Sequence, residues 1–189
     1  HKVFRKQDLI IVPDAGNETG TMIEVAEKSL LWLKFKTLGK QAHGSTPEKG
    51  INSFKAASFF ITALNDLYKI YPGRDRLFDT PMSTFEPTKK EANVPNVNTI
   101  PGEDVFYMDM RILPKIKVED VEKAVRKIAA GIEKKFKVKI HAEIQQKAPA
   151  APPTLAQAPV VLALKKAVQA VYRKQAKAMG IGGGPVAAV

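Results

Sequence analysis

Five short stretches carry side chains or backbone groups that could do chemistry. Asp14 closes the apolar run DLIIVPD (8–14), where a strand of an α/β sheet would deliver a carboxylate to a ligand site. His43 sits with Ser45 and Thr46 in GKQAHGSTPEKG, and its imidazole could serve as acid, base or hydrogen-bond donor. VPNVNTIPG offers Asn96 and Asn98 between prolines, and Arg111 stands on the polar face of VFYMDMRIL. GIGGGP brings Gly182, Gly183 and Gly184 together, and their backbone N–H groups could bind an anion. Each has a plainer alternative when taken singly: Asn in a turn, Arg paired on the surface with Asp109, His bonded within its loop, glycines as a tight turn.

The rest of the composition narrows the field. Cysteine is absent, so disulfides, thiolate metal sites and a Cys nucleophile are excluded, and any metal must be held by His, Asp or Glu. Only His1, His43 and His141 are available, and His141 falls on the lysine-bearing face of its strand, so no complete two-metal site can be drawn. No Gly-x-Ser-x-Gly elbow occurs. The glycine run lacks a following Lys-Ser/Thr, which disfavours phosphate-loop and dinucleotide readings. The net charge of +11 comes from 24 Lys and 6 Arg spread along the chain, the pattern of a solvated surface rather than a nucleic-acid patch. No apolar run is long enough to span a bilayer and the opening residues do not read as a signal peptide, so a soluble, cytoplasmic protein is expected.

These residues need elements to hold them. LLWLKFKTL, from Leu31, alternates as a half-buried strand with Leu31, Leu33 and Phe35 on one face and Trp32, Lys34 and Lys36 on the other. The spacing predicts a helix over 50–71 with a stripe of Phe54, Ala57, Ser58, Ile61, Leu64, Tyr68 and Tyr71. Strands are expected at 82–89 and 105–113, the latter with Phe106, Met108, Met110 and Ile112 inward. A helix follows at 118–136, then a strand at 137–144 with Val138, Ile140, Ala142 and Ile144 inward. The order β-α-β-β-α-β is that of a ferredoxin-like α+β sandwich, two helices over one face of a four-stranded antiparallel sheet. APAAPPTLAQAP (148–159) reads as a crossover, and Val161, Leu164, Val168, Val171 and Tyr172 mark a third helix. The simplest partition is a middle domain of 31–147 inserted between two pieces of another domain, 1–30 and 148–189.

In this order VPDAG, GKQAHGSTPEKGINS, NVNTIPGEDVFYMDMRILP and GIGGG resemble the di-zinc metallohydrolases of the acetylornithine deacetylase, succinyl-diaminopimelate desuccinylase, aminoacylase and carboxypeptidase G family. The resemblance implies a ferredoxin-like lid, usually a homodimerisation domain, inserted into a zinc-binding α/β domain. It implies that Asp14 is an acidic ligand of one zinc. His43 would be the lid histidine that reaches an active site, often the partner subunit's, and supports the oxyanion formed during amide hydrolysis. Asn98 and Arg111 would hold the substrate's carboxylate, for which a guanidinium is well suited. Gly182, Gly183 and Gly184 would line the same pocket.

The family's His-x-Asp motif, bridging Asp, Glu-Glu pair and final His have no counterpart here, and Pro185 stands where a hydroxyl residue is usual. The expectation is therefore a fragment: the lid and truncated remnants of a zinc-dependent amidohydrolase or peptidase for small carboxylate-bearing amides or peptides. The intact parent would hold two zinc ions and this chain none, or one weakly, without turnover. The alternative from the residues is a basic ferredoxin-like module that binds RNA bases on its sheet or only dimerises. Asp109 and Arg111 stand where a stacking ring would be needed, so neither a nucleic-acid nor a membrane partner is expected.

Overall fold

The computed structural model describes residues 3, 5, 8–13 and 16–182. Its elements are β1 (Met22–Glu27), β2 (Ser29–Leu38), β3 (Ala42–His43), α1 (Ser53–Leu64), α2 (Asp66–Ile70), β4 (Thr84–Lys90), β5 (Thr99–Ile100), β6 (Glu103–Ile112), α3 (Val118–Phe136), β7 (Lys139–Ala148), α4 (Pro159–Tyr172) and β8 (Lys177–Ile181). From β2 to β7 the chain is the expected ferredoxin-like sandwich. Its sheet has the order β4-β6-β2-β7, every adjacent pair antiparallel.

Alternation in β2 and β6 sets the core. Leu31, Leu33 and Phe35 meet Met110, Met108 and Phe106 across the central pair, and all are buried under the helices. Phe35 lies 5.0 Å from both Phe60 and Phe106 by ring centroids, a contact geometry worth roughly 0.5–1.5 kcal/mol per pair beyond area burial. The outer sheet face carries Trp32, 37% exposed, with Lys34, Lys36, Tyr107 and Asp109, as the period-two pattern requires.

Helix α3 runs over the expected residues, with Val118, Val121, Val125 and Ile132 buried, acids in its first turn and lysines in its last, matching the helix dipole. The first helix differs from expectation in extent and phase. Asn52 caps it by accepting from the Lys55 N–H, so it begins at Ser53, and it divides at Asn65 into α1 and α2. Its buried stripe is Ser53, Ala56, Ala57, Phe60, Leu64 and Leu67, while Phe54 and Ser58 face outward. Lys90 covers the Phe54 ring at 4.6 Å, which gives that exposed aromatic a place. Strand β7 is longer than expected. Ile140 is only half-buried and Ala142 and Ile144 are exposed on this edge strand, where a cleft opens between it and α3.

Outside the sandwich, residues 8–13 form no strand, contrary to the expectation for 8–14, and Leu9 to Val12 are exposed. A strand does form next, where none was expected: β1 pairs in parallel with β8, far away in sequence. Helix α4 packs on this pair through Val161 against Ile23 and Val25. A second small cluster of Ala26, Phe78 and Leu113 connects the pair to the sandwich. Among the described residues no helix is long and apolar enough to cross a membrane.

Candidate active site

The loop after β2 and the loop before β6 are stitched together. Gly39 N–H donates to Gly102 O at 2.7 Å, Lys40 and Ile51 exchange backbone bonds of 2.8 Å, and Gly44 N–H donates to Asn98 O at 2.6 Å. Between these bonds β3 pairs with β5, placing His43 opposite Thr99. Two glycines make the approach possible: a Cβ on Gly39 would collide with the Ile51 carbonyl oxygen, and one on Gly44 would sit 3.1 Å from Asn98 O.

The consequence is that His43 and Asn98, 55 residues apart, meet side by side at the tip of this pair of loops, with Asn98 Nδ2 3.3 Å from His43 Nε2. Both side chains are exposed. The far side of the ring is fixed by Ser45, whose Oγ lies 2.7 Å from Nδ1 and whose backbone N–H donates to Nδ1 at 3.2 Å. A backbone N–H can only donate, so Nδ1 accepts and the neutral ring carries its proton on Nε2, the nitrogen turned toward Asn98. Asn98 lies beside this nitrogen, and the single Nε2 proton stays available to an acceptor brought to the loop tip. The loop tip then offers imidazole and amide N–H groups, suited to an oxygen that gains negative charge.

Arg111 lies elsewhere. It is paired with Leu30 and Thr84 across the sheet, near the opposite end of β6 from β5. From Glu103 to Arg111 the strand rises about 26 Å at the usual 3.3 Å per residue. Within one chain, then, the sequence-predicted residues form two groups: His43 with Asn98 at one end of the sheet, and Arg111 at the other. Its guanidinium grips Asp109 through Nε at 2.6 Å and Nη2 at 3.0 Å, which fixes its plane.

Gly182 belongs with Arg111. It follows β8, whose last residue accepts the Lys28 N–H through Ile181 O at 3.3 Å, immediately before Ser29 and Leu30 of β2. Asp14, Gly183 and Gly184 lie outside the described residues, as does Pro185.

One residue at this end escaped the sequence reading. Lys28 is 3% exposed, and its ammonium donates to Met82 O at 2.7 Å and stands 5.8 Å from the Phe78 ring. Burial holds its pKa below the ordinary lysine value; Asp79 pulls it back up and Arg111 pushes it further down. The sequence signal was a lysine set directly before an apolar strand, a place where a surface lysine is the ordinary expectation.

The family described as the peptidase dimerisation domain, M20_dimer, matches residues 25–137. The chain belongs to this M20 family. Two curated relatives are similar to it along 99% of its length, uncharacterised metallohydrolases of Methanocaldococcus jannaschii and Methanococcus maripaludis, each 42% identical. The chain spans about half the length of these relatives, 48% in each case. Among solved structures, a tripeptidase from Staphylococcus aureus superposes with a TM-score of 0.69 at 18% identity, over 90% of this chain and 42% of the tripeptidase, a likeness of fold.

Metallohydrolase relatives imply a metal. Among the described residues of this M20 chain, no three of His, Asp and Glu converge to hold one. The ring partners of His43 are Ser45 and Asn98, donors and acceptors without a carboxylate. The described residues therefore do not fit a metal centre, and His43 is placed as a hydrogen-bonding group.

Proposed function

We propose that this chain is the lid of a metal-dependent amide hydrolase, that it forms a homodimer, and that His43 and Asn98 serve the active site of the partner while Arg111 serves its own. The separation of the two groups along β6 carries this reading: no small amide could touch both within one chain. The substrate class is an N-acyl amino acid or small peptide with a free carboxylate, received by Arg111, whose plane Asp109 holds ready, and Gly182, Gly183 and Gly184 are proposed as backbone donors to the same substrate. His43, as an Nε2–H donor, stabilises the oxygen of the amide carbonyl as it becomes negative, Ser45 holds the ring through Nδ1, and Asn98 beside it presents its amide N–H groups to the substrate.

The metal ligands and general base come from outside the described residues. Asp14 is proposed as one ligand and zinc as the ion. The partition into 1–30, 31–147 and 148–189 is part of the same reading, supported by the separate apolar clusters of the sandwich and of the β1/β8 pair. A cytoplasmic location accords with the absence of cysteine.

The test compares metal content and hydrolysis of N-acetyl amino acids for the 189-residue chain and for the polypeptide encoded by the reading frame around it. The expected result is less than one metal per chain and no turnover for the chain alone, with turnover in the longer polypeptide. His43→Ala should lower that turnover by about 10²–10³-fold, the scale for one lost oxyanion donor. Undiminished turnover in the variant would remove His43 from the chemistry.

A further inference from the structure

The polar face of the sheet presents, among the described residues, one exposed large apolar side chain, Trp32, at 37%. It stands directly opposite Asp109 on β6 and Gln146 on β7. Further along the same face the charges are taken up in pairs, Lys34 with Glu91 at 3.2 Å and Lys36 with Glu103 at 2.9 Å. Tyr107, two residues before Asp109, donates its hydroxyl to Glu91 and lies under the ammonium groups of Lys34 and Lys89. A single exposed tryptophan would need no explanation by itself; its surroundings supply one.

Asp109 is the carboxylate that fixes Arg111, and Arg111 is the diagonal neighbour of Trp32 across the β2/β6 pair. Diagonal neighbours lie about 7–8 Å apart, within reach of an aromatic and a long side chain. On the other side of Trp32 the register with β7 slips, because Gln145 is an extra residue between the partners of Trp32 and Leu33. A bulge of this kind bends its strand and sharpens the local twist, and it occurs where a side chain must be re-aimed beside a site.

We infer that Trp32 is the wall of a subsite for the substrate's amino-acid side chain, and that it selects N-acyl amino acids with a large apolar side chain, such as leucine or phenylalanine, over glycine. The inference rests on the reading of Arg111 as the receiver of the carboxylate. With the carboxylate held there and the amide committed to the hydrolytic centre, the side chain is the group left to lie on the sheet. It leaves the same carbon that bears the carboxylate, so it falls within a side chain's length of the guanidinium, where the indole stands. An apolar wall beside one charged anchor is the common make-up of a small-ligand pocket, and an indole offers a large rigid apolar face.

The test is kinetic, in the longer polypeptide encoded around this chain. Trp32→Ala should cut the ratio of kcat/KM for N-acetyl-leucine to that for N-acetylglycine by about 10- to 100-fold. Trp32→Phe, which keeps a ring, should retain most of the ratio, and Arg111→Ala should lower both substrates together because both carry the carboxylate. A second readout uses the chain itself. Trp32 is its single tryptophan, so its emission reports this position alone. N-acetyl-leucine should move that emission to shorter wavelength and N-acetylglycine should not. A loss in Trp32→Ala shared equally by the two substrates, or an emission that responds to both ligands alike or to neither, overturns the subsite and leaves the carboxylate role of Arg111 standing. A longer polypeptide that hydrolyses neither substrate overturns that role as well.

Discussion

Lys28 and His43 show two opposite uses of a titratable side chain. His43 is exposed and held by its loop, so that its ring is oriented without being desolvated. Lys28 is buried at the junction of β1 and β2, where its ammonium satisfies the Met82 carbonyl. Lys28→Ala should lower stability by about 1–3 kcal/mol at neutral pH, the scale for leaving a buried acceptor without its donor. The pH dependence has a definite sign. The folded pKa of Lys28 lies below the unfolded value of 10.5, so between the two the unfolded chain binds more protons and wild-type stability rises with pH. The deficit of Lys28→Ala, measured by denaturant unfolding, should therefore widen as pH climbs toward 10.5. A deficit that shrinks over that range would mean that the ammonium is not desolvated in the folded state.

At the level of elements, legibility followed the strength of the repeat. Strand β6 and helix α3 could be read because their apolar positions keep a clean period with polar residues on the other face. Helix α1 carries Phe54, Phe59, Phe60 and Ile61 on several sides, so residue type could not decide which face is buried; packing of Phe60 against Phe35 decided it. Strands β1 and β8 are short and are paired across about 150 residues, a contact that no local pattern announces. His43, Asn98 and Arg111 could be named from the sequence as candidates, but the meeting of His43 with Asn98 and the distance of Arg111 from both could not be read there, since they depend on the loops before β6 and on its length. The glycines of those loops are the elements' own signature. Gly39→Ala should cost about 1–3 kcal/mol, because the added methyl must displace the Ile51 carbonyl and with it the bonds that hold the two loops together. Its measure is the thermal midpoint, with an accompanying loss of the His43 to Asn98 contact by NMR. An unchanged midpoint would show that the loops give way freely.

For the whole molecule, the decisive property is whether the two groups of residues meet only between copies. A lid whose His43 and Arg111 stand more than about 25 Å apart along β6 can complete a site within a dimer if each copy lends its loop tip to the other. That arrangement has a consequence no single-chain site shares. In the longer polypeptide, His43→Ala and Arg111→Ala should each abolish most activity alone. Mixed after dissociation and reassembled, they give heterodimers in which one site has an intact Arg111 and receives an intact His43, while the other site loses both. Random reassembly places about half of the dimers in this mixed class with one working site each, so activity should recover to about a quarter of the wild-type level. A site formed within one chain leaves every site in the mixture with one defect and gives no recovery. The mixing experiment thus separates the two arrangements by hydrolysis rate alone, and absence of recovery from verified heterodimers would return His43 and Arg111 to separate roles.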